Sequence, residues 1–113
     1  MRELTKLERG NIYKIVDGVI IKFLQERKRR TLSGKNINEL EKRVKGIIGE
    51  DPYIKMTSRT DLIRGGIWGL ADNQVLELKY GFTFKLNSGI DYNKYLEDKY
   101  RSLLSDKYLE TNF

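Results

Sequence analysis

Two residue types that support much of enzyme chemistry, cysteine and histidine, are absent from this chain of 113 residues. Their absence excludes a disulfide framework, thiolate chemistry, nucleophiles activated by histidine and the usual zinc ligand sets. No apolar run approaches the roughly 18 residues that a membrane span needs, and the first residues do not have the layout of a signal peptide. We therefore expect a cytoplasmic protein that uses no metal, no cofactor and no membrane.

What the chain does have is positive charge, and this charge lies at one end. Lys and Arg number 22 against 16 Asp and Glu, a formal net charge of +6. Residues 1–35 contain ten of the cations and four of the acids, so they account for the whole excess. The length suits one domain. We expect a single domain, 1–113, with a basic N-terminal helical region over 1–35 and a neutral α+β body over 36–113.

The densest positive charge is the run Arg27, Lys28, Arg29 and Arg30. Apolar residues from Ile12 to Leu24 recur at helical spacing, which predicts a helix over about 12–30 that ends in this run. Four adjacent cations repel one another unless an anion is near, and phosphates are the usual anion. The alternative is a solvated helix end, where cations complement the helix dipole and need no partner.

The rest of the chain predicts further helices and one hairpin. Residues 57–71 fit a helix better than a strand, although three glycines weaken the prediction. The other predicted elements are a helix over 38–48 that ends at Gly49, strands over 75–79 and 82–86, and a last helix over 91–108. The expected fold class is α+β, with three or four helices packed on a small antiparallel β-hairpin or sheet.

The order of elements over residues 38–86 resembles a winged-helix DNA-binding domain. A helix, a connector, a second helix and a hairpin follow one another, and in that family the helix before the hairpin enters the major groove. The resemblance implies that the 57–71 helix and the hairpin touch DNA. It assigns Ser58, Arg59, Thr60 and Arg64 to the helix and Lys79 and Lys85 to the wing.

A second resemblance would make the protein an enzyme. Asp61 followed by Glu77-Leu78-Lys79 is similar to the signature of the PD-(D/E)xK nucleases, in which acids hold Mg²⁺ and the lysine steers a water. The same Glu-x-Lys pattern recurs at Glu97, as expected by chance in so charged a chain. The family's Asp also lies on a strand, so a helical Asp61 would not fit.

We predict a small regulatory or accessory protein, of the kind found on mobile elements, that binds nucleic acid without catalysis. DNA is favoured over RNA, and a homodimer stays open. The alternative is a protein-binding inhibitor or adaptor from a mobile element, which would use the same basic residues on an acidic partner that processes nucleic acid. The predicted contact residues are Arg27, Lys28, Arg29, Arg30, Arg59, Arg64, Lys79 and Lys85.

Aromatic residues offer a further contact with nucleic acid, because bases can stack on them. Three of the seven tyrosines, Tyr92, Tyr95 and Tyr100, are expected to line a boundary between helix and sheet. Trp68 is the exception, since neither a helix nor a strand over 57–71 buries it well.

Overall fold

A computed structural model of the chain describes residues 4–27, 29–31, 33–49, 59–79 and 83–104. Over these residues it contains four helices and a three-stranded antiparallel sheet, so the predicted α+β class is confirmed. The elements are α1 (Lys6–Glu26), β1 (Arg29–Thr31), α2 (Gly34–Ile48), α3 (Arg59–Asp72), β2 (Leu76–Lys79), β3 (Thr83–Leu86) and α4 (Tyr92–Leu104).

Helix α1 begins earlier and ends earlier than its apolar spacing predicts. Thr5 caps it, because the Thr5 side chain accepts from the Glu8 backbone while Glu8 accepts from the Thr5 backbone. The predicted extension to about residue 30 is wrong. Arg27 already has extended backbone angles, because the next residues pair with β3 and cannot also remain helical.

The sheet has the order β1-β3-β2, so β3 is its central strand. Arg29 pairs with Lys85 and Thr31 with Thr83, which places β1 antiparallel to β3. The predicted hairpin is present as β2 and β3, although its turn at 80–82 lies outside the described residues. The sequence predicts only the two strands of the hairpin. The third strand, β1, lies where the basic end of the first helix is predicted.

Helices α2 and α3 follow the predicted periodicity. Helix α2 begins at Gly34 rather than Asn38 because the Ser33 side chain accepts from the Asn36 backbone. Gly49 ends it with a φ of 83°, a left-handed angle that favours glycine. Residues 59–72 form a helix despite their glycines, which confirms the helical interpretation of this segment.

The core lies where α1 meets the other helices and the inner face of the sheet. Helix α1 contacts α2, α3 and α4, and both α3 and α1 reach the sheet. The largest fully buried side chains are Phe23, Phe84, Ile20, Leu24, Leu40, Ile63, Ile67, Leu70, Leu76, Val16 and Val44. Each of the first three helices and both hairpin strands contribute to this set, so one core holds the described chain together.

Candidate nucleic-acid interface

The outward face of the sheet collects positive charge from all three strands. Side chains alternate along a strand, so the registered pairs decide which residues share a face. The row Arg29–Lys85–Glu77 and the row Thr31–Thr83–Lys79 lie on one side. The basic sheet face is defined here as Arg29, Thr31, Glu77, Lys79, Thr83 and Lys85.

The opposite side of the sheet belongs to the core. Phe84 and Leu76 are buried there, and Leu78 and Leu86 pack against the same cluster. The basic sheet face, in contrast, consists of exposed or half-buried polar residues. A depression of about 410 Å³ lies on it, lined by Arg29, Glu77, Leu78, Lys79 and Thr83. The sheet therefore presents a polar surface whose cations lie on three hydrogen-bonded strands.

Within the basic run of residues 27–30, Arg29 and Arg27 have side chains that are available to an anionic ligand. Both are exposed, and neither forms an ion pair with any carboxylate in the part of the chain that the structure describes. Lys28, between them, lies outside the described residues. The guanidinium groups of Arg29, on the basic sheet face, and of Arg27, at the end of α1, are thus not neutralised by the described acids.

Arg30 points the other way, because strand β1 alternates its side chains. Its guanidinium carbon lies 3.7 Å from the centroid of the Phe23 ring, and its Nη2 donates to the Phe23 carbonyl at 3.2 Å. Arg43 approaches the same ring at 4.9 Å. The structure therefore does not bring Arg30 together with Arg29, and it gives Arg30 contacts that hold β1 against α1.

Arg43 is also fixed by acids. It donates to Glu26 at 2.6 Å and to Glu39 at 3.2 Å, so it joins the end of α1 to α2. The hydrogen bond from Arg43 holds the pKa of Glu26 below its ordinary value. This cation, unlike Arg29, has its charge matched within the protein.

The remaining predicted contacts lie on the hairpin and on α3. Lys79 is exposed and Lys85 half-buried, both on the basic sheet face. Arg64 is exposed on α3, which is a different element. Arg59 begins α3, but its side chain and that of Thr60 lie outside the described part, as does Ser58.

A buried charged cluster, which the sequence analysis missed, joins α1 to α4. The Asp17 carboxylate is buried and accepts from Lys99 Nζ at 2.8 Å and from the Tyr100 hydroxyl at 2.6 Å. Burial raises the pKa of Asp17, and the two donors oppose that rise. The only sequence signal is an acid beside the apolar residues of α1, and its partners are more than 80 positions away.

The other members of this cluster respond to the same carboxylate. Partial burial lowers the pKa of Lys99, but the hydrogen bond and the charge of Asp17 outweigh it, so the pKa of Lys99 rises. Burial and the Asp17 hydrogen bond raise the pKa of Tyr100. The groups of this cluster bond to one another across the two helices. Its role is to fasten α4 to α1.

The nuclease resemblance finds little geometric support. Asp61 belongs to helix α3 rather than to a strand, and Glu77 pairs across the sheet with Lys85, not with an acid. No group of three Asp or Glu side chains suited to a metal ion occurs within the described residues. The three candidate residues thus lack the shared strand setting that the family's signature requires.

Comparisons of the chain with protein-family models, curated proteins and solved structures find no match. Over the described ranges, no helix is long and apolar enough to cross a membrane.

Proposed function

We propose that this protein binds nucleic acid without catalysis, as a regulatory or accessory factor, and that the basic sheet face contacts the phosphates. The observation that carries the proposal is the strand register. It places Arg29, Lys79 and Lys85 on one outward face with Glu77 as the one carboxylate among them. Arg27 adds a further exposed cation at the end of α1, two residues before Arg29 in the chain.

Phosphates suit this surface because of both its charge and its hydrogen-bond donors. Lys and Arg that neutralise phosphates release counterions, and this release supplies affinity that depends on salt rather than on sequence. Thr31 and Thr83 add hydroxyl groups of the kind that contact backbone oxygens. The face contains no aromatic side chain, so we expect it to position a strand rather than to distinguish bases.

The order of elements supports DNA as the nucleic acid. Helices α2 and α3 precede the hairpin β2–β3, which is the order that the winged-helix resemblance implies. In that comparison α3 would enter the major groove with Arg64, while Lys79 and Lys85 on the hairpin would touch the backbone. The proposal therefore favours DNA over RNA.

The test is a titration of labelled duplex DNA, single-stranded DNA and RNA at two salt concentrations. The informative variant combines Arg29→Glu with Lys79→Glu. Its matched control combines Lys42→Glu with Lys94→Glu, two exposed lysines on α2 and α4, so both proteins have the same net charge. Each phosphate contact removed should lower the slope of log affinity against log salt by about one.

We expect the Arg29→Glu, Lys79→Glu variant to lose affinity for all sequences alike and to reduce the salt slope by about two. The control variant should bind with nearly the affinity of the wild type. Equal losses in the two variants would show that net charge, not this face, drives binding. No binding at low salt would overturn the proposal and favour an acidic protein partner instead.

A further inference from the structure

Trp68 is the largest apolar side chain that the described fold leaves outside its core. It is 54% exposed in the middle of α3. At 3.6 residues per turn, Trp68 lies on the opposite side of the helix from Ile63 and Leu70, both of which are fully buried. The indole therefore faces solvent because of its helical position, and no rotation of its side chain would bring it into the core.

On the surface of α3, Trp68 has a glycine on one side and a charged residue in each direction along the helix axis. Gly65 lies one turn earlier, and a Cβ added there would meet no atom within 4 Å. Arg64 and Asp72, each four residues from Trp68, are both exposed. Because residues four apart are neighbours on a helix, a cation and a carboxylate flank the indole along the α3 axis.

The fold itself does not explain this arrangement. A glycine inside a helix costs about 1 kcal/mol relative to alanine, and at Gly65 no neighbouring atom requires the missing Cβ. Gly66 differs, since a Cβ there would approach Ile20 Cδ1 to 2.8 Å. Because no neighbouring atom requires the glycine at position 65, the side of α3 next to the exposed indole is open to a ligand.

We propose that Trp68 stacks against an unpaired base of single-stranded nucleic acid, with the adjoining phosphate at Arg64. This inference rests on the proposed binding of nucleic acid and adds its substrate class. It assigns α3 and Arg64 to a single strand, in place of the duplex contact that the winged-helix resemblance implies. Base–aromatic stacking needs a base whose face is free, which a single strand offers and a duplex does not. The charges along α3 set the direction, because Arg64 attracts a phosphate whereas Asp72 repels it.

The test uses the fact that Trp68 is the only tryptophan of the chain, so its fluorescence reports on this position alone. The two probes are an oligothymidylate of about 12 nucleotides and an abasic oligonucleotide of the same length. They have the same charge and differ in their bases. We expect the oligothymidylate to quench the fluorescence and to bind more tightly, whereas the abasic strand binds through its phosphates with little quenching.

Substitutions separate stacking from a general effect. Trp68→Leu should weaken binding of the oligothymidylate about tenfold and leave the abasic strand unaffected, while Trp68→Phe keeps a ring and loses less. The control is Tyr13→Leu, which removes another exposed aromatic, on α1, and should leave binding unchanged. Thermal unfolding should be nearly the same for all, because these side chains are exposed.

The possible failures are distinguishable. If labelled strands bind with a steep salt dependence but the two probes bind equally and Trp68→Leu has no effect, stacking is wrong and the basic sheet face remains. If a duplex binds as tightly as the oligothymidylate and quenches Trp68 equally, the single-strand assignment is wrong. If no nucleic acid binds at low salt, both proposals fail.

Discussion

Arg29 and Arg30 are adjacent in the chain, yet they belong to two different regions of the molecule. Arg29 is exposed on the basic sheet face, and Arg30 lies over the Phe23 ring on the inner side. The same division separates Lys79, which faces outward, from Lys99, which bonds to a buried carboxylate. Charges that face the protein hold its elements together, whereas charges that face solvent are available to a ligand.

This comparison explains why net charge alone is a poor guide to the site. Part of the positive charge of the chain is used internally, as Arg43 shows with its two acids. What matters for a polyanion is the fraction that strand alternation turns outward. Variants that remove a charged side chain facing the protein should therefore change stability. Variants that remove a charged side chain facing solvent should change binding.

The largest effect is expected at Lys99. Lys99→Met leaves the buried Asp17 with Tyr100 as its remaining described donor, and breaking a partly exposed pair of this kind should lower the free energy of unfolding by about 2–3 kcal/mol. The outward control is Lys94→Met on α4, which should change stability by less than about 0.5 kcal/mol. Urea unfolding at pH 7 measures both.

The pH dependence of the Lys99 effect follows from the direction of its pKa shift. Folding raises the pKa of Lys99 above its ordinary value of 10.5, so the stability contributed by its charge is fully present below pH 10.5 and is lost as the pH rises through the folded pKa. The difference between wild type and Lys99→Met should be constant from pH 7 to 10 and shrink at higher pH. A difference that grows above pH 10.5 would contradict the proposed pairing.

Local pattern was enough to predict most elements but not the partners of the charges. The spacing of Leu40 and Val44, and that of Ile63 and Ile67, indicates helices because each helix buries one face. The strand β1 could not be predicted in this way. Arg29 becomes part of a strand only because Lys85, 56 residues later, provides the backbone to pair with.

The candidate site, too, could be predicted only where it depends on local sequence pattern. The hairpin could be predicted from its alternation, and with it the positions of Lys79 and Lys85. The sequence could not predict which cations of the basic run lie on the same face as Lys79 and Lys85. The predicted helix would have distributed those side chains around its axis. Only the register with β3 separates Arg29 from Arg30.

The next largest effect is expected on α3, where two adjacent glycines face different surroundings. Gly66→Ala places a Cβ within 3 Å of Ile20 and Val16 side-chain atoms, both in the buried core. Overpacking of this kind costs about 1–3 kcal/mol, partly offset by the helix propensity of alanine. Gly65→Ala meets no atom and should stabilise by about 0.5–1 kcal/mol.

Thermal or urea unfolding of the two alanine variants tests this contrast directly, because the substitution is identical and the positions are neighbours. Opposite signs are expected. If Gly66→Ala is as stable as Gly65→Ala, helices α1 and α3 do not approach as closely as described. In that event the orientation of Trp68 on the outer side of α3 would also need revision.

The smallest effect on stability is expected in strand β1, at Arg30 and Arg29. Arg30→Ala removes a cation–π contact and a hydrogen bond to the Phe23 carbonyl, so it should lower the free energy of unfolding by about 1–2 kcal/mol. Arg29→Ala should change stability by less than about 0.5 kcal/mol but weaken nucleic-acid binding. The reverse pattern, a stable Arg30→Ala that binds poorly, would mean that Arg30 faces the ligand and that the two faces of β1 are exchanged.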